Sequence, residues 1–355
     1  MRFADVFRFS RLTLAGLLAA AVCAAPECAA AQTAQAETPS AGQPVTSLDT
    51  IHDVVSITSD PTHLYVAACP TGFARLKSAY VFAMSSSGGA ATVLNTTTLW
   101  GSPAGLELYG NHLIVAMHPE PEGPLPQEAT PMTGIYRVPL ASGPAQAIFE
   151  GPPLVKPNRM AIVGSTIYIA DMDAGPVGSG AIFSLPVTGG TPTVIAQGSP
   201  LDDPVGLVAT STGLFIADRG TASHGAEHKD PGQPGKILFL PFGSNQPQVV
   251  AQGGLLKNPL DLELVGNTLY IADEGEDAQS KPGVYSLSVS GWHTGVDLTS
   301  NIAVVHQGAP FLEPIGLSVT QDRLYVADDT GSKTFRLTVN AAAASPSTLT
   351  GGSSQ

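Results

Sequence analysis

The sequence predicts an all-β fold, a six-bladed β-propeller with four-stranded antiparallel blades, and three observations carry that prediction. One signature, Leu/Ile–aromatic–Val/Ile–Ala–Asp or a close variant, recurs six times, at Leu64–Ala68, Leu113–Met117, Ile167–Asp171, Leu214–Asp218, Leu269–Asp273 and Leu324–Asp328. Successive copies start roughly 47 to 55 residues apart, the blade period of a propeller. The 355 residues include 38 Gly and 30 Pro, while only 13% are charged, about half the usual share. That composition suits tight turns between short apolar strands. No segment of useful length has the 3.6-residue period of an amphipathic helix.

The fourth copy shows the elements in order. Pro204-Val205-Gly206 makes a turn, followed by strands at Leu207–Thr210, Leu214–Asp218, Lys236–Pro241 and Gln248–Ala251. Four such strands, apolar on both faces, suit blades stacked around an axis. Closing six of them into a ring removes most exposed sheet edges. The propeller is expected over residues 49–351, with a short tail at 352–355. Val45–Leu48 and Thr348–Thr350 both qualify as the strand that closes the ring.

Residues 1–31 read as a secretory signal peptide: Arg2, Arg8 and Arg11, then the apolar run Leu12–Ala25, then Ala29-x-Ala31 as a cleavage site. The run is shorter than the ~20 residues a membrane span needs. Val22 ahead of Cys23 argues against a lipid anchor. Residues 32–48, rich in Ala, Gln, Pro and Ser, read as a flexible linker. A secreted or periplasmic location follows, and Cys69 is then the one cysteine left, so no internal disulfide staples the fold. The net charge of −13 disfavours nucleic acid and anionic membranes as partners. A monomer that meets a small-molecule ligand or an envelope or extracellular protein is the expectation.

The repeated Asp171, Asp218, Asp273 and Asp328 each end a strand before a Gly-rich loop, where a carboxylate accepts hydrogen bonds from the turn's own backbone. A structural role is expected of them. The chain lacks the Gly-x-Ser-x-Gly, His-Glu-x-x-His and Cys-x-x-Cys signatures and the phosphate- and dinucleotide-binding glycine loops. His224 and His228 flank Glu227, but Gly220, Gly225, Pro231 and Gly232 make their segment a loop. They are assigned to a substrate rim.

Comparing the copies with one another is more informative. Pro103, Pro157, Pro204, Pro259 and Pro314 open five blades, and His52 stands in that place in the first. The next residue runs Asp53, Ala104, Asn158, Val205, Leu260, Ile315. The one after runs Val54, Gly105, Arg159, Gly206, Asp261, Gly316. Blades two, four and six keep an apolar–Gly turn; the others break it with Asp53, Asn158-Arg159 and Asp261. These turns feed the innermost strands, so their side chains crowd the mouth of the central channel. Oxygen ligands converging from separate blades suit calcium, which takes six to eight oxygens.

The Pro-x-Gly-Leu and Leu-Tyr-Val-Ala-Asp units resemble NHL repeats and the gluconolactonase/senescence-marker family, and the polar exceptions resemble paraoxonases, six-bladed calcium-dependent lactonases and arylesterases. The repeat resemblance spans nearly the whole mature chain; the site resemblance rests on four residues. It implies a calcium cofactor held by Asp53, Asn158 and Asp261, with His118, in Met117-His118-Pro119, as general base. Two departures weaken it: Ala104 replaces a family His, and Val205 replaces a family Asn ligand. Arg159 adds a cation where calcium would bind. Two arrangements therefore stand open, a calcium site or an Arg159 plug paired with Asp53 or Asp261. In the first, calcium would polarise a lactone or ester carbonyl, and the loops Met117–Thr133 and Asp218–Gly235 would rise on one face. Two functions follow: a non-catalytic propeller that binds a ligand or protein through its loop face and channel, or, as the alternative, a calcium-dependent hydrolase.

Overall fold

A computed structural model describes residues 51–70, 78–87, 90–95, 99–118, 133–176, 179–220, 233–275, 281–320, 323–329 and 333–338, with side chains described at all of these but 51–53, 69–70, 78, 100, 333, 336 and 338. All belong to one compact unit, Ala34–Gln355. It is all-β, six antiparallel blades in a propeller, and among the described residues a short 3-10 turn runs over Thr299–Asn301.

The first blade holds β1 (Ile51–Ser59), β2 (His63–Pro70), β3 (Ser78–Ser85) and two short outer pieces, β4 (Thr92–Val93) and β5 (Leu99–Trp100), both paired to β3. Blade two holds β6 (Ser102–Tyr109), β7 (His112–His118), β8 (Gly134–Pro139) and β9 (Gln146–Glu150). Blade three holds β10 (Pro157–Val163), β11 (Thr166–Asp171), β12 (Ala181–Pro186) and β13 (Thr193–Gln197). Blade four holds β14 (Pro204–Ala209), β15 (Gly213–Asp218), β16 (Lys236–Pro241) and β17 (Gln248–Gln252). Blade five holds β18 (Pro259–Val265), β19 (Thr268–Asp273), β20 (Gly283–Ser288) and β21 (Ala303–Gln307). Three strands are described in blade six: β22 (Pro314–Thr320), β23 (Arg323–Asp328) and β24 (Lys333–Thr338). Both candidates for its closing strand lie outside the described residues. The broken outer edge of blade one is bridged by a side chain: Asn95 Oδ1 accepts from the Val81 N–H at 2.7 Å, and Asn95 Nδ2 donates to the Ala79 carbonyl at 3.2 Å.

The first strands pack side by side around the axis, and β1 closes the circle against β22. The core lies between blades, where apolar residues of each pair of neighbours interdigitate, as in the Phe215, Ile237, Leu262, Ile271 and Tyr285 cluster of blades four and five. Two-sided burial explains why the second strands read as unbroken apolar runs: all six residues of β15 are buried.

Each first strand carries a β-bulge just after its opening residue. The pairing Pro204↔Asp218 is followed by Gly206↔Ala217, and Pro259↔Asp273 by Asp261↔Ala272, with the same shift in the other blades. Blade one has a second shift, between Val54 and Ser56. A bulge leaves one residue unpaired in the ladder, and these bulges turn that residue toward the channel mouth.

The repeated aspartates fasten the same corner. Asp171, Asp218, Asp273 and Asp328 are fully buried. Asp273 Oδ2 accepts from Lys257 N–H at 2.9 Å, while Oδ1 accepts from Asn258 N–H at 3.1 Å and from Gly275 N–H at 2.9 Å. Asp171 holds Val155, Lys156 and Asp173; Asp218 holds Asp202, Asp203 and Gly220; Asp328 holds Leu312 and Glu313. The role is structural, as read from sequence, but its reach differs. Most partners lie 15 or 16 residues upstream, in the segment that crosses from the previous blade, and only one is in the aspartate's own turn. Burial raises the carboxyls of Asp171 and Asp273, and that of Asp218 to about 6, against the pull of their backbone donors and, for Asp218, of Lys236.

Asp273→Ala would strand three backbone N–H groups, each costing about 1–3 kcal/mol when buried without a partner. A loss of about 3 kcal/mol or more in urea unfolding is expected, against a change within about 0.5 kcal/mol for Gln197→Ala at the exposed end of β13.

Candidate functional site

Arg159, on β10, crosses the channel. Its Nη1 donates to the carbonyl of Ala104 in blade two, and its Nη2 donates to the carbonyls of Ile315 in blade six and, at 2.9 Å, of Val55 in blade one. Its Nε stands 3.2 Å from Oδ2 of Asp261 in blade five, with both side chains buried. One guanidinium thus touches four blades besides its own. Val55, Ala104 and Ile315 are the unpaired residues of their bulges, so their carbonyls need donors from outside the ladder. A buried arginine supplies several donors in one rigid fork.

The alternation seen in the sequence has a packing cause. A Cβ on Gly105 would stand 2.3 Å from the Asn158 carbonyl oxygen, one on Gly206 would stand 3.0 Å from the backbone of Asp261, and one on Gly316 3.5 Å from Arg159 Nη2. Gly105 and Gly206 make room for the backbone of the next inner strand, whereas at Gly316 the tightest neighbours of a Cβ are Ala327 Cβ and Ile57 Cγ2, each at 3.3 Å, and Arg159 lies at an ordinary contact distance. Above this level the other turn residues form an apolar collar: Val205, Leu260 and Ile315 with Met172 and Val55.

The residues assigned from sequence therefore separate. Arg159 and Asp261 are brought together. Asn158 is turned to the collar, its Nδ2 donating to the Met172 sulfur at 3.1 Å. The side chain of Asp53 lies outside those described, as do His224 and His228. His118 is buried at the end of β7, opposite Ser102 in register. Asp261 has its oxygens engaged: Oδ1 accepts from Leu262 N–H and Oδ2 from Leu317 N–H, each at 2.9 Å, besides the ion pair. Asp261, Asn158 and three bulge carbonyls suit a guanidinium better than a calcium ion, because the cation already present repels a second one. Among the described residues no group of three or more His, Cys, Asp or Glu is arranged to hold a metal.

Two channel carboxylates were missed from sequence. Glu263 lies two residues after Asp261, hence on the same face of its strand, and its Oε1 accepts from Val319 N–H at 3.1 Å. Burial, then the charge of Asp261, pushes its carboxyl up to about 8. Glu107 lies two residues after Gly105; burial, then Glu263 and Asp261, raise it well above the usual carboxylate range against the pull of Arg159. Period-two counting from the turn would have found both.

A second polar ring surrounds the mouth on the face where the blade crossings and the loops after each second strand emerge. It is built from the residue before each opening proline and the residue after each aspartate, joined by backbone bonds: Met172 N–H to Lys156, Arg219 N–H to Asp203, Glu274 N–H to Asn258, Asp329 N–H to Glu313. His118 and Ser102 occupy this place in blade two. Arg219 pairs with Asp203 Oδ2 through Nε at 2.7 Å and Nη2 at 2.6 Å.

No family model matches the chain, and no curated protein does. Among solved structures, a chain of the crystal structure of a nidogen/laminin complex aligns with a TM-score of 0.49 at 15% identity, over 80% of this chain and 95% of that one. Among the described residues no helix is long and apolar enough to cross a membrane.

Two outcomes follow from the channel. Arg159→Met leaves Asp261 buried without its cation and should cost about 3–5 kcal/mol in urea unfolding. A carboxyl raised by folding binds its proton more tightly in the native state, so ionising Glu263 destabilises the fold. That cost is absent below about pH 4.5, grows as pH rises, and is complete above about pH 8. Glu263→Gln keeps the acceptor for Val319 and should match the parent near pH 5. At pH 8.5 it should be more stable by roughly 1–3 kcal/mol, the full shift being reduced by solvent screening.

Proposed function

We propose that this chain is an exported, non-catalytic binding propeller that takes a ligand or protein partner on its loop face. The observation that carries the reading is the closed channel: the guanidinium of Arg159 ties Asp261 to carbonyls of three further blades. With that centre committed to holding the ring, the surface around the mouth is left for recognition. The crossings before blades three and six add apolar contact points there, with Val155 47% and Leu312 56% exposed.

The calcium-dependent hydrolase remains the second reading, supported by His118 at the rim of blade two. A lactone and aryl-ester panel, run on the mature domain in calcium and in chelator, separates the two. Binding without catalysis predicts turnover no higher than that of His118→Ala in every condition. Calcium-dependent turnover that His118→Ala abolishes would establish the hydrolase instead. Photo-crosslinkers at Leu312 and Val155 should capture the physiological partner, whereas one at Asn267, in a hairpin on the opposite face, should not.

A further inference from the structure

The buried aspartates fasten four of the six blades. In blades three to six each accepts backbone N–H groups of the segment that enters its own blade: Asp171 those of Val155 and Lys156, Asp218 those of Asp202 and Asp203, Asp273 those of Lys257 and Asn258, Asp328 those of Leu312 and Glu313. Blade one has Ala68 at this place of the repeat, and blade two has Met117, opposite Pro103 where the later blades set aspartate opposite proline. Both side chains are fully buried, and neither supplies a carboxylate. The segment entering blade two is tied backwards instead, Leu99 and Trp100 pairing with Ala79 and Ser78 on β3 of blade one. Apolar packing joins the same two blades, with Tyr65, Ala67 and Val81 of blade one against Leu106, Val115 and Met117 of blade two. Blades one and two thus form one body that lacks the clasps of the other four.

That body is held from the axis. Of the three bulge carbonyls that Arg159 reaches, those of Val55 and Ala104 belong to blades one and two, while Ile315 and the Asp261 carboxylate belong to blades six and five. One guanidinium on blade three therefore ties down both blades that lack an aspartate. At the seam with blade six, Ser59 Oγ and Ser318 Oγ share a hydrogen bond of 2.7 Å, and the Tyr325 hydroxyl donates to the Ser86 carbonyl at 3.1 Å. Val55 is also a wall of the apolar collar, packed with Met172, Val205, Leu260 and Ile315.

We propose that blades one and two open as one unit and that Arg159 is the latch that holds them shut. Native proteins open in cooperative pieces, and the pieces that open first are those with the fewest ties to the rest of the fold. Here the ties are the latch, two hydroxyl bonds and apolar packing. Opening carries Val55 away from the collar, so the movement that breaks the latch also uncovers apolar surface at the mouth. The device is independent of what the loop face binds.

Native-state hydrogen exchange of the mature chain, followed by mass spectrometry over a series of low urea concentrations, tests it. Amides of β2 and β7 should exchange at least tenfold faster than those of β15 and β19. Their urea dependence should also be weaker, because opening two blades exposes less surface than unfolding six. Two variants separate the latch from the ring. Arg159→Lys keeps a cation beside Asp261 but lacks the fork that reaches three carbonyls, and should speed β2 and β7 at least tenfold. Asp273→Ala weakens blade five, which stays folded while blades one and two are open. It should speed β19 at least tenfold and change β2 and β7 less than twofold. Equal speeding of all three strands by Asp273→Ala would show that the ring unfolds as a whole and overturn the unit. Unchanged exchange of β2 and β7 in Arg159→Lys would overturn the latch. Should either variant fail to fold, a common rate and urea dependence for all four strands of the parent overturns the proposal by itself.

Discussion

A ring of six bulged strands leaves backbone carbonyls at its centre without partners from the ladder, and one guanidinium answers that need. Arg159 donates to the bulge carbonyls of blades one, two and six and pairs with the Asp261 carboxylate of blade five. Asp261 in turn accepts the Leu317 N–H of blade six, so the network runs through nearly the whole circle. A propeller holds its blades together by apolar packing between neighbours; among the described residues this contact spans the axis. The guanidinium is part of the framework: it is buried, donates through Nη1 and Nη2, and sets its Nε 3.2 Å from Asp261 Oδ2.

The buried aspartates set the position of everything outside that centre. Each binds the crossing that leads into its own blade, so the residue before the opening proline and the residue after the aspartate are held side by side at the mouth. The spacing that makes the repeat recognisable is therefore also what lines up the rim. Asn258 and Glu274 meet because the clasp at Asp273 holds the Asn258 backbone, whose carbonyl accepts the Glu274 N–H.

The strands and their order were legible because each blade repeats one local solution: an apolar second strand ending in Asp, a turn opened by Pro, a glycine where the neighbour approaches. The exceptions at Asp53, Asn158, Arg159 and Asp261 were legible too, as breaks in that pattern. Their pairing was not, since Arg159 and Asp261 lie on non-adjacent blades and only ring closure makes them neighbours. Asn158 looked equivalent to Asp261, yet it sits one place nearer the turn, and the bulge directs its amide to Met172 rather than to the axis. Glu107 and Glu263 escaped notice because attention stayed on the turn itself, although the two-residue period of a strand carries the channel face onward to both.

By itself the sequence determined the number of blades, the strand of each repeat, the buried role of the repeated Asp and the short roster of polar residues at the channel mouth. All of these follow from local periodicity and turn chemistry. Only the tertiary structure decided that Arg159 pairs with Asp261 and reaches the bulge carbonyls of three other blades, and that Glu107, Asp261 and Glu263 face one another. Those outcomes depend on distances across a closed ring between segments 50 to 150 residues apart, roughly one to three blade periods, and no local pattern encodes such a distance.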